Sequence, residues 1–332
     1  MNLQYRIGLL TRLGKYILAN EEEWVEAKHK ASLENGWFLP EFIDKASKII
    51  ATHFLDESIL QQWNSRYDLP NENNQPRKVG IVMAGNIPMV GFHDFLCVFA
   101  NGHKAVIKTS SRDDTLIRHL VSTLKDWEPQ LESLVTFEPL LRGCDAYIAT
   151  GSNNTAGYFD YYFGKYPNII RRNRTSVAIL NGNESTEELT ALADDVFLYF
   201  GLGCRNVTKL YVPENYDFVP LLDAFRGYDW MGDHHKYKNN YDYNLAIHLL
   251  NRKNYMSTPG IILIEDESFF SPISQLNYAY YTDRDKLSAN LTDHPSIQGI
   301  VGTGFIPFGK SQEPSIDSYA DGIDTMQFLS RL

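Results

Sequence analysis

The sequence predicts an α/β protein: mainly parallel sheet covered by helices on both faces, preceded by a helical segment. Three observations carry this. From Val79 onward, short apolar runs alternate with stretches of helical periodicity. The runs are apolar along their whole length, as strands buried on both faces are. Ahead of them, Ile7, Leu10, Leu13 and Ile17 recur at helix spacing.

The helical segment covers roughly the first 60 residues. It ends at "LPNENNQPRK", residues 69–78, a polar stretch rich in Asn and Pro that marks a loop before the next unit. "KVGIVMAG" then reads as a buried parallel strand. "IPMVGFHDFLCVFANG" reads as a helix with Pro88 near its start and Gly102 just past its end. "KAVIK" is the second strand. Asp113 caps the next helix, whose apolar stripe is Leu116, Ile117, Leu120, Val121 and Leu124. "DAYIATG", residues 145–151, is the third strand, leading into the partly helical "SNNTAGYFDYYFGKYP". "TSVAILNG" is a fourth, followed by a helix through Leu189, Leu192, Val196 and Phe200 with Ser185 and Glu188 as its capping box. Ligands of such sheets sit at the carboxyl ends of the strands, which selects the loops "GNIP", "KTSS" and "TGSNNTAG".

With 332 residues, 43% of them hydrophobic, the chain has a full core and forms two domains or one large α/β unit. Three cysteines, no close Cys-x-x-Cys pair and no N-terminal apolar signal segment describe a reduced, cytoplasmic protein without a disulfide framework. No apolar window approaches the roughly 18 residues of a membrane span. A net charge of −10 argues against nucleic acid as a partner. Anionic ligands then need local basic groups, and two stretches offer them: "KTSSR" from Lys108 to Arg112, and "RRNR" with Arg171, Arg172 and Arg174. The second stretch either holds phosphates or forms a solvated rim, and the sequence leaves both open.

The chemistry centres on "FGLGCRNVTKLYVP", residues 200–213. A cysteine is most often a small buried hydrophobe, and Cys97, inside an apolar helix, and Cys144, at a strand start, read that way. Cys204 differs, because Gly201 and Gly203 permit a tight turn that faces the side chain to a cleft. The carboxyl end of the preceding helix disfavours a thiolate, so activation must come from elsewhere, such as Arg205. His234 and His235 are adjacent, cannot both face one helical site and have no second ligand motif nearby; no metal site is expected.

Taken in order over residues 79–310, these pieces resemble the aldehyde dehydrogenase superfamily. "GNIP" is similar to its Asn-x-Pro element, "VIKTSSRD" to its lysine-bearing strand end, "ATGSNNTAG" to its Gly-Ser loop, and "FGLGCRNVTKLYVP" to its helix, Gly-x-Cys and strand. The resemblance implies an aldehyde dehydrogenase-like fold of two Rossmann-like α/β domains. Residues 1–75 would be a helical segment packed on the cofactor domain, 76–183 an NAD(P)-binding domain and 184–310 a catalytic domain. Residues 311–332 would be a C-terminal segment able to supply an oligomerisation strand.

It further implies that Cys204 is the nucleophile and Asn86 an oxyanion donor. Lys108, with Ser110, Ser111 and Arg112, would hold the adenosine ribose, and Gly151 and Ser152 would lie near the cofactor pyrophosphate. The family's Glu-x-Phe-Gly-Pro element looks like "EDESFFSPI", in which Glu267 or Ser268 takes the place of the ribose-binding glutamate. The water-activating glutamate of aldehyde-oxidising members is missing, since the matching region reads "IIRRNRTSVAIL". The short N-terminus, "AGNIP", "LGCRNV" and that missing carboxylate resemble the LuxC-type acyl-CoA reductases. The implied activity is NADPH-dependent reduction of an acyl-CoA thioester to an aldehyde through a Cys204 acyl-enzyme. Ser111 and Arg112, where NAD-preferring relatives carry a carboxylate, imply NADP. The acyl donor would be a CoA thioester or an acyl-transfer partner protein, and a homo-oligomer is expected. The alternatives are an aldehyde dehydrogenase or acyl-phosphate reductase of the same superfamily, or a catalytically idle nucleotide-binding scaffold.

Overall fold

The computed structural model describes residues 1–332, the side chains of residues 153 and 154 excepted. The chain divides into two compact units, Met1–Asn173 with Pro314–Leu332, and Arg174–Glu313.

The first unit opens with helices α1 (Leu3–Ala19), α2 (Glu22–Glu34), α3 (Pro40–Ile49) and α4 (Glu57–Asn64). Side-chain caps start two of them: Asn2 accepts from the Tyr5 N–H, and Asp56 from Ser58 and Ile59. α1 ends on Asn20 in the left-handed conformation. These helices are not a separate layer, because Leu10, Leu13, Trp24 and Trp63 share one core cluster with Val79, Ile81, Phe95 and Val98 of the sheet region. Burying each such side chain contributes roughly 1.5–3 kcal/mol.

Then follow β1 (Lys78–Val82), α5 (Phe92–Ala100), β2 (Lys104–Lys108), α6 (Thr115–Trp127), β3 (Val135–Phe137), β4 (Ala146–Thr150), α7 (Asn153–Phe163) and β5 (Asn168–Arg171). The strands form a parallel sheet in the order β3-β2-β1-β4-β5. The predicted stripe of α6 is buried at all five positions. The second unit contains β6 (Thr175–Ile179), α8 (Thr186–Phe197), β7 (Val207–Pro213), α9 (Val219–Phe225), α10 (His235–Leu250), β8 (Met256–Ser257), β9 (Ile262–Glu265), β10 (Gln275–Tyr281), α11 (Arg284–Leu291) and β11 (Ile297–Val301). Its sheet runs β11-β6-β7-β10-β9-β8, parallel except for the short β8.

Several expectations need correction. "TSVAIL" is a buried parallel strand but belongs to the second sheet, so the chain changes unit between Asn173 and Arg174 and not at residues 183–184. The C-terminal segment supplies no strand. "DTMQFLSRL" forms α12 (Thr325–Ser330), capped by the Asp324 side chain, with Met326 and Leu329 buried in the first unit's core. The helix after β1 begins at Phe92, because Met89 takes a left-handed conformation (φ 55°) and breaks it at its expected start. α8 stops at Phe197 and not Phe200, since Tyr199 (φ 55°), Phe200 (φ 57°) and Gly201 (φ 72°) turn left-handed. Asp113 does not cap α6: the N-cap position is Asp114, and the Asp113 side chain bonds elsewhere.

Candidate active site

In the first unit the candidate residues gather at one edge of the sheet. Asn86 follows the carboxyl end of β1, Lys108 ends β2, Ser110, Ser111 and Arg112 come directly after it, and Gly151 and Ser152 follow β4. β2 and β4 flank β1 on opposite sides, so the chain order reverses there, which is where open parallel sheets bind ligands. The loops are close. A Cβ on Gly85 would lie 2.6 Å from the Ser110 Oγ, so only glycine lets the first turn approach the second. A Cβ on Gly151 would lie 2.9 Å from the Phe159 ring, which keeps this backbone bare at the mouth of α7. Ser152 caps that helix by accepting the Thr155 N–H at 3.3 Å. Ser111 and Arg112 are exposed, while Asn86 and Lys108 are half-buried.

In the second unit the nucleophile candidate lies at the opposite kind of edge, just before the amino end of β7. Cys204 forms no disulfide and is half-exposed. The left-handed Tyr199 and Phe200 store backbone strain, of the sort that persists where surrounding contacts over-determine it. Asn206, fully buried, supplies those contacts. Its Oδ1 accepts the Gly203 N–H at 2.8 Å, and its Nδ2 donates to the carbonyls of Asp195, Val196 and Leu198 at 3.1, 3.3 and 2.9 Å. These are among the carbonyls a helix end leaves unpaired. The Ser176 hydroxyl donates to the Cys204 carbonyl at 3.3 Å and ties the turn to β6.

Arg205 is half-buried. Burial pulls its pKa down, and the charge of Cys204 opposes that shift. Asp195 fixes the other side of the α8 end: its buried carboxylate accepts the N–H groups of Gly309 and Ser311 at 2.7 and 2.9 Å.

Glu267 and Ser268 lie in the loop that leaves the carboxyl end of β9. Their loop precedes β10 and is stitched down by two side chains, the buried Asn277 and the half-buried Thr208. Asn277 donates to the carbonyls of Ser268 and Phe270 at 3.0 and 3.1 Å, and Thr208 donates to that of Phe269 at 2.6 Å. Beneath the loop lies Lys209, whose side chain is fully buried and whose Nζ makes no hydrogen bond. It faces the rings of Tyr211 and Phe269, with the exposed Glu267 carboxylate 3.6 Å away. Burial lowers the Lys209 pKa, and Glu267 opposes this.

The three arginines of the cluster each have a partner of their own. Arg171 is buried in an ion pair with Asp94 and donates to the Thr325 hydroxyl; burial would lower its pKa, and Asp94 more than reverses that. Arg172 pairs at the surface with Asp160, and Arg174 donates to the Ile297 carbonyl. Cys97 and Cys144 are buried, and burial raises both thiols, as structural cysteines require. His234 caps α10, and no cluster of metal-ligating side chains exists among the described residues. No helix among them is long and apolar enough to cross a membrane. Sequence reasoning missed Asn206, Lys209 and the bond that the Asp113 side chain accepts from the Met89 N–H. For Lys209 the signal was a lysine inside the apolar strand β7; Asn206 and Asp113 stand beside other polar residues and gave none.

No family model matches the sequence, and no curated protein sequence matches it. Solved structures do. An NADP-dependent enzyme of E. coli is similar with a TM-score of 0.67 at 12% identity, over 91% of this chain and 73% of that one. Aldehyde dehydrogenase 21 of Physcomitrella patens, solved with the reaction product succinate, is similar with a TM-score of 0.65 at 13% identity, over 100% of this chain and 84% of that one. The aldehyde dehydrogenase KauB of Pseudomonas aeruginosa gives 0.63 at 11% identity, over 91% and 72%. The fold is therefore aldehyde dehydrogenase-like, as the ordered motifs implied.

Proposed function

We propose that this protein reduces an acyl thioester to an aldehyde through an acyl-enzyme on Cys204, with NADPH as reductant. The observation that carries the reading is the Cys204 turn: a half-exposed thiol beside a cationic side chain, on a strained turn pinned by Asn206, in an aldehyde dehydrogenase-like fold. In this reading the thiolate attacks the thioester carbonyl, the bond to the CoA sulfur breaks, and CoA leaves as a thiolate while S-acyl-cysteine forms. The oxyanion is held by the Cys204 N–H and, by the resemblance, the Asn86 amide. NADPH, when bound, supplies a hydride to the acyl carbonyl. Cys204 then departs as thiolate, and the aldehyde is released.

The residues at the first unit's carboxyl edge fit such a cofactor. Bare backbone at Gly151 and the amino end of the eleven-residue α7 suit a pyrophosphate. Lys108 and Ser110 would hold the adenosine ribose, and Ser111 and Arg112, exposed and carrying no carboxylate, would accept a 2′-phosphate. By the resemblance, Glu267 or Ser268 would bind a cofactor ribose. Cys204 and Asn86 do the chemistry. No carboxylate occurs in residues 169–180, which favours reduction of the acyl-enzyme over its hydrolysis. The donor is a CoA thioester, free or delivered by an acyl-transfer partner.

A second reading, aldehyde oxidation, is favoured by the fold relatives being aldehyde dehydrogenases. Substrate tests separate the two. NADPH oxidation with acyl-CoA, acyl phosphate, and the reverse assay with aldehyde and NADP, are compared on one preparation. The proposal expects acyl-CoA turnover well above both others; turnover confined to aldehyde oxidation without CoA overturns it.

A further inference from the structure

We propose that Asp113 is a positioning residue whose buried carboxyl group clamps the turn carrying Asn86 to the turn carrying Ser110, Ser111 and Arg112. The inference rests on the roles proposed above for those residues. In it, one side chain sets both the oxyanion donor and the grip on the cofactor.

Asp113 is 5% exposed, and its Oδ2 accepts the Met89 N–H at 2.6 Å across the gap between the two turns. Met89 is buried and left-handed at φ 55°, a conformation that costs a side-chain-bearing residue about 1–2 kcal/mol. Something must hold it there. The segment from Ala84 to Gly91 contains no charged side chain that could do so. Asp113 reaches in from outside, while its own N–H donates to the Ser110 carbonyl at 3.0 Å, and the Arg112 N–H donates to the Ser110 Oγ at 3.2 Å. The second turn is therefore rigid where the first is anchored to it, and Gly85 allows the two to touch.

The neighbouring carboxylate has a different task, since Asp114 accepts from Thr109 and Arg118. The other oxygen of Asp113, Oδ1, is buried without a hydrogen-bond partner.

The test compares wild type, Asp113→Leu, which fills similar volume without an acceptor, and Asp113→Asn, which keeps one. Amide hydrogen exchange is read over residues 84–92 and over α1–α4 as the folding control, with NADPH affinity by fluorescence and steady-state kinetics alongside. Losing this anchor should speed exchange in 84–92 about 10-fold or more in Asp113→Leu with the control helices unchanged. It should also weaken NADPH binding and lower kcat by about 10-fold each, and Asp113→Asn should recover most of both. If the Leu variant does not fold, Asp113→Ala replaces it. The clamp is overturned if exchange in 84–92 does not change selectively, if kcat falls only with the amount of folded protein while NADPH affinity holds, or if Asn is no better than Leu. A wild type that turns over no acyl donor defeats the reductase reading, and the exchange data still decide the clamp.

Discussion

The first sheet presents its candidate residues at its carboxyl end, and the second presents Cys204 at its amino end. In the first unit, Asn86 and Gly151 follow the carboxyl ends of β1 and β4 and Lys108 ends β2; in the second, Cys204 comes just before the amino end of β7, while Glu267 lies in the loop that leads from the carboxyl end of β9 to β10. The carboxyl edge of a parallel sheet meets helix N-termini, whose free N–H groups suit anionic ligands, so binding loops there need little further help. The amino edge meets helix C-termini, whose carbonyls repel a thiolate. The second unit answers with local devices. α8 ends early in a left-handed turn, Asn206 takes up its last carbonyls, and Arg205 stands beside the sulfur.

This contrast can be broken from either side. The largest effect belongs to the amino edge: Cys204→Ser should lower thioester reduction by more than ~10³-fold, as loss of a nucleophile does, with an unchanged melting temperature. Asn86→Ala, from the carboxyl edge, should cost about 10²-fold in kcat with NADPH affinity spared. An equal loss of affinity would move Asn86 from chemistry to binding. Asn206→Ala should destabilise the fold by about 1–3 kcal/mol and slow acylation, because the α8 carbonyls and the Gly203 N–H lose their partner. Denaturant unfolding and a single-turnover acylation assay read the two parts separately.

Smaller effects sharpen the comparison. Ser111→Glu, which brings a carboxylate to the exposed lip after β2, should shift the NADPH-to-NADH ratio of kcat/KM by about 10-fold toward NADH. Asp113 should show in the pH profile of stability. Burial lifts its carboxyl group to about 7, Asp114 adds to the rise, and the Met89 N–H opposes it. A group raised in the folded state stabilises fully below its unfolded value, about 4, and loses that contribution as pH climbs through 7. Asp113→Asn should therefore flatten the decline between about pH 4 and pH 7.5, measured by urea unfolding.

Much of this organisation was legible in the sequence, for physical reasons that also mark the limits. The strand-helix alternation from Val79 to Gly151 reads directly, because strands buried on both faces carry continuous apolar runs. The sheet to which "TSVAIL" belongs does not, since a buried strand looks alike in either. The partners of Arg171 and Arg172 are side chains distant in sequence, Asp94 and Asp160, so periodicity could not reveal these pairings. α12 was readable: Asp324 with Gln327 three residues on is an N-terminal capping pattern. Asp113 and Asp114 are indistinguishable as caps in sequence, and only the position of the Met89 N–H assigns their tasks.

The most direct test of the central claim is intact mass of the purified protein after exposure to acyl-CoA without reductant, with Cys204→Ser as control. The account predicts one acyl adduct on wild type only, discharged as aldehyde when NADPH is added. An unmodified wild type, or an equal adduct on Cys204→Ser, would contradict it.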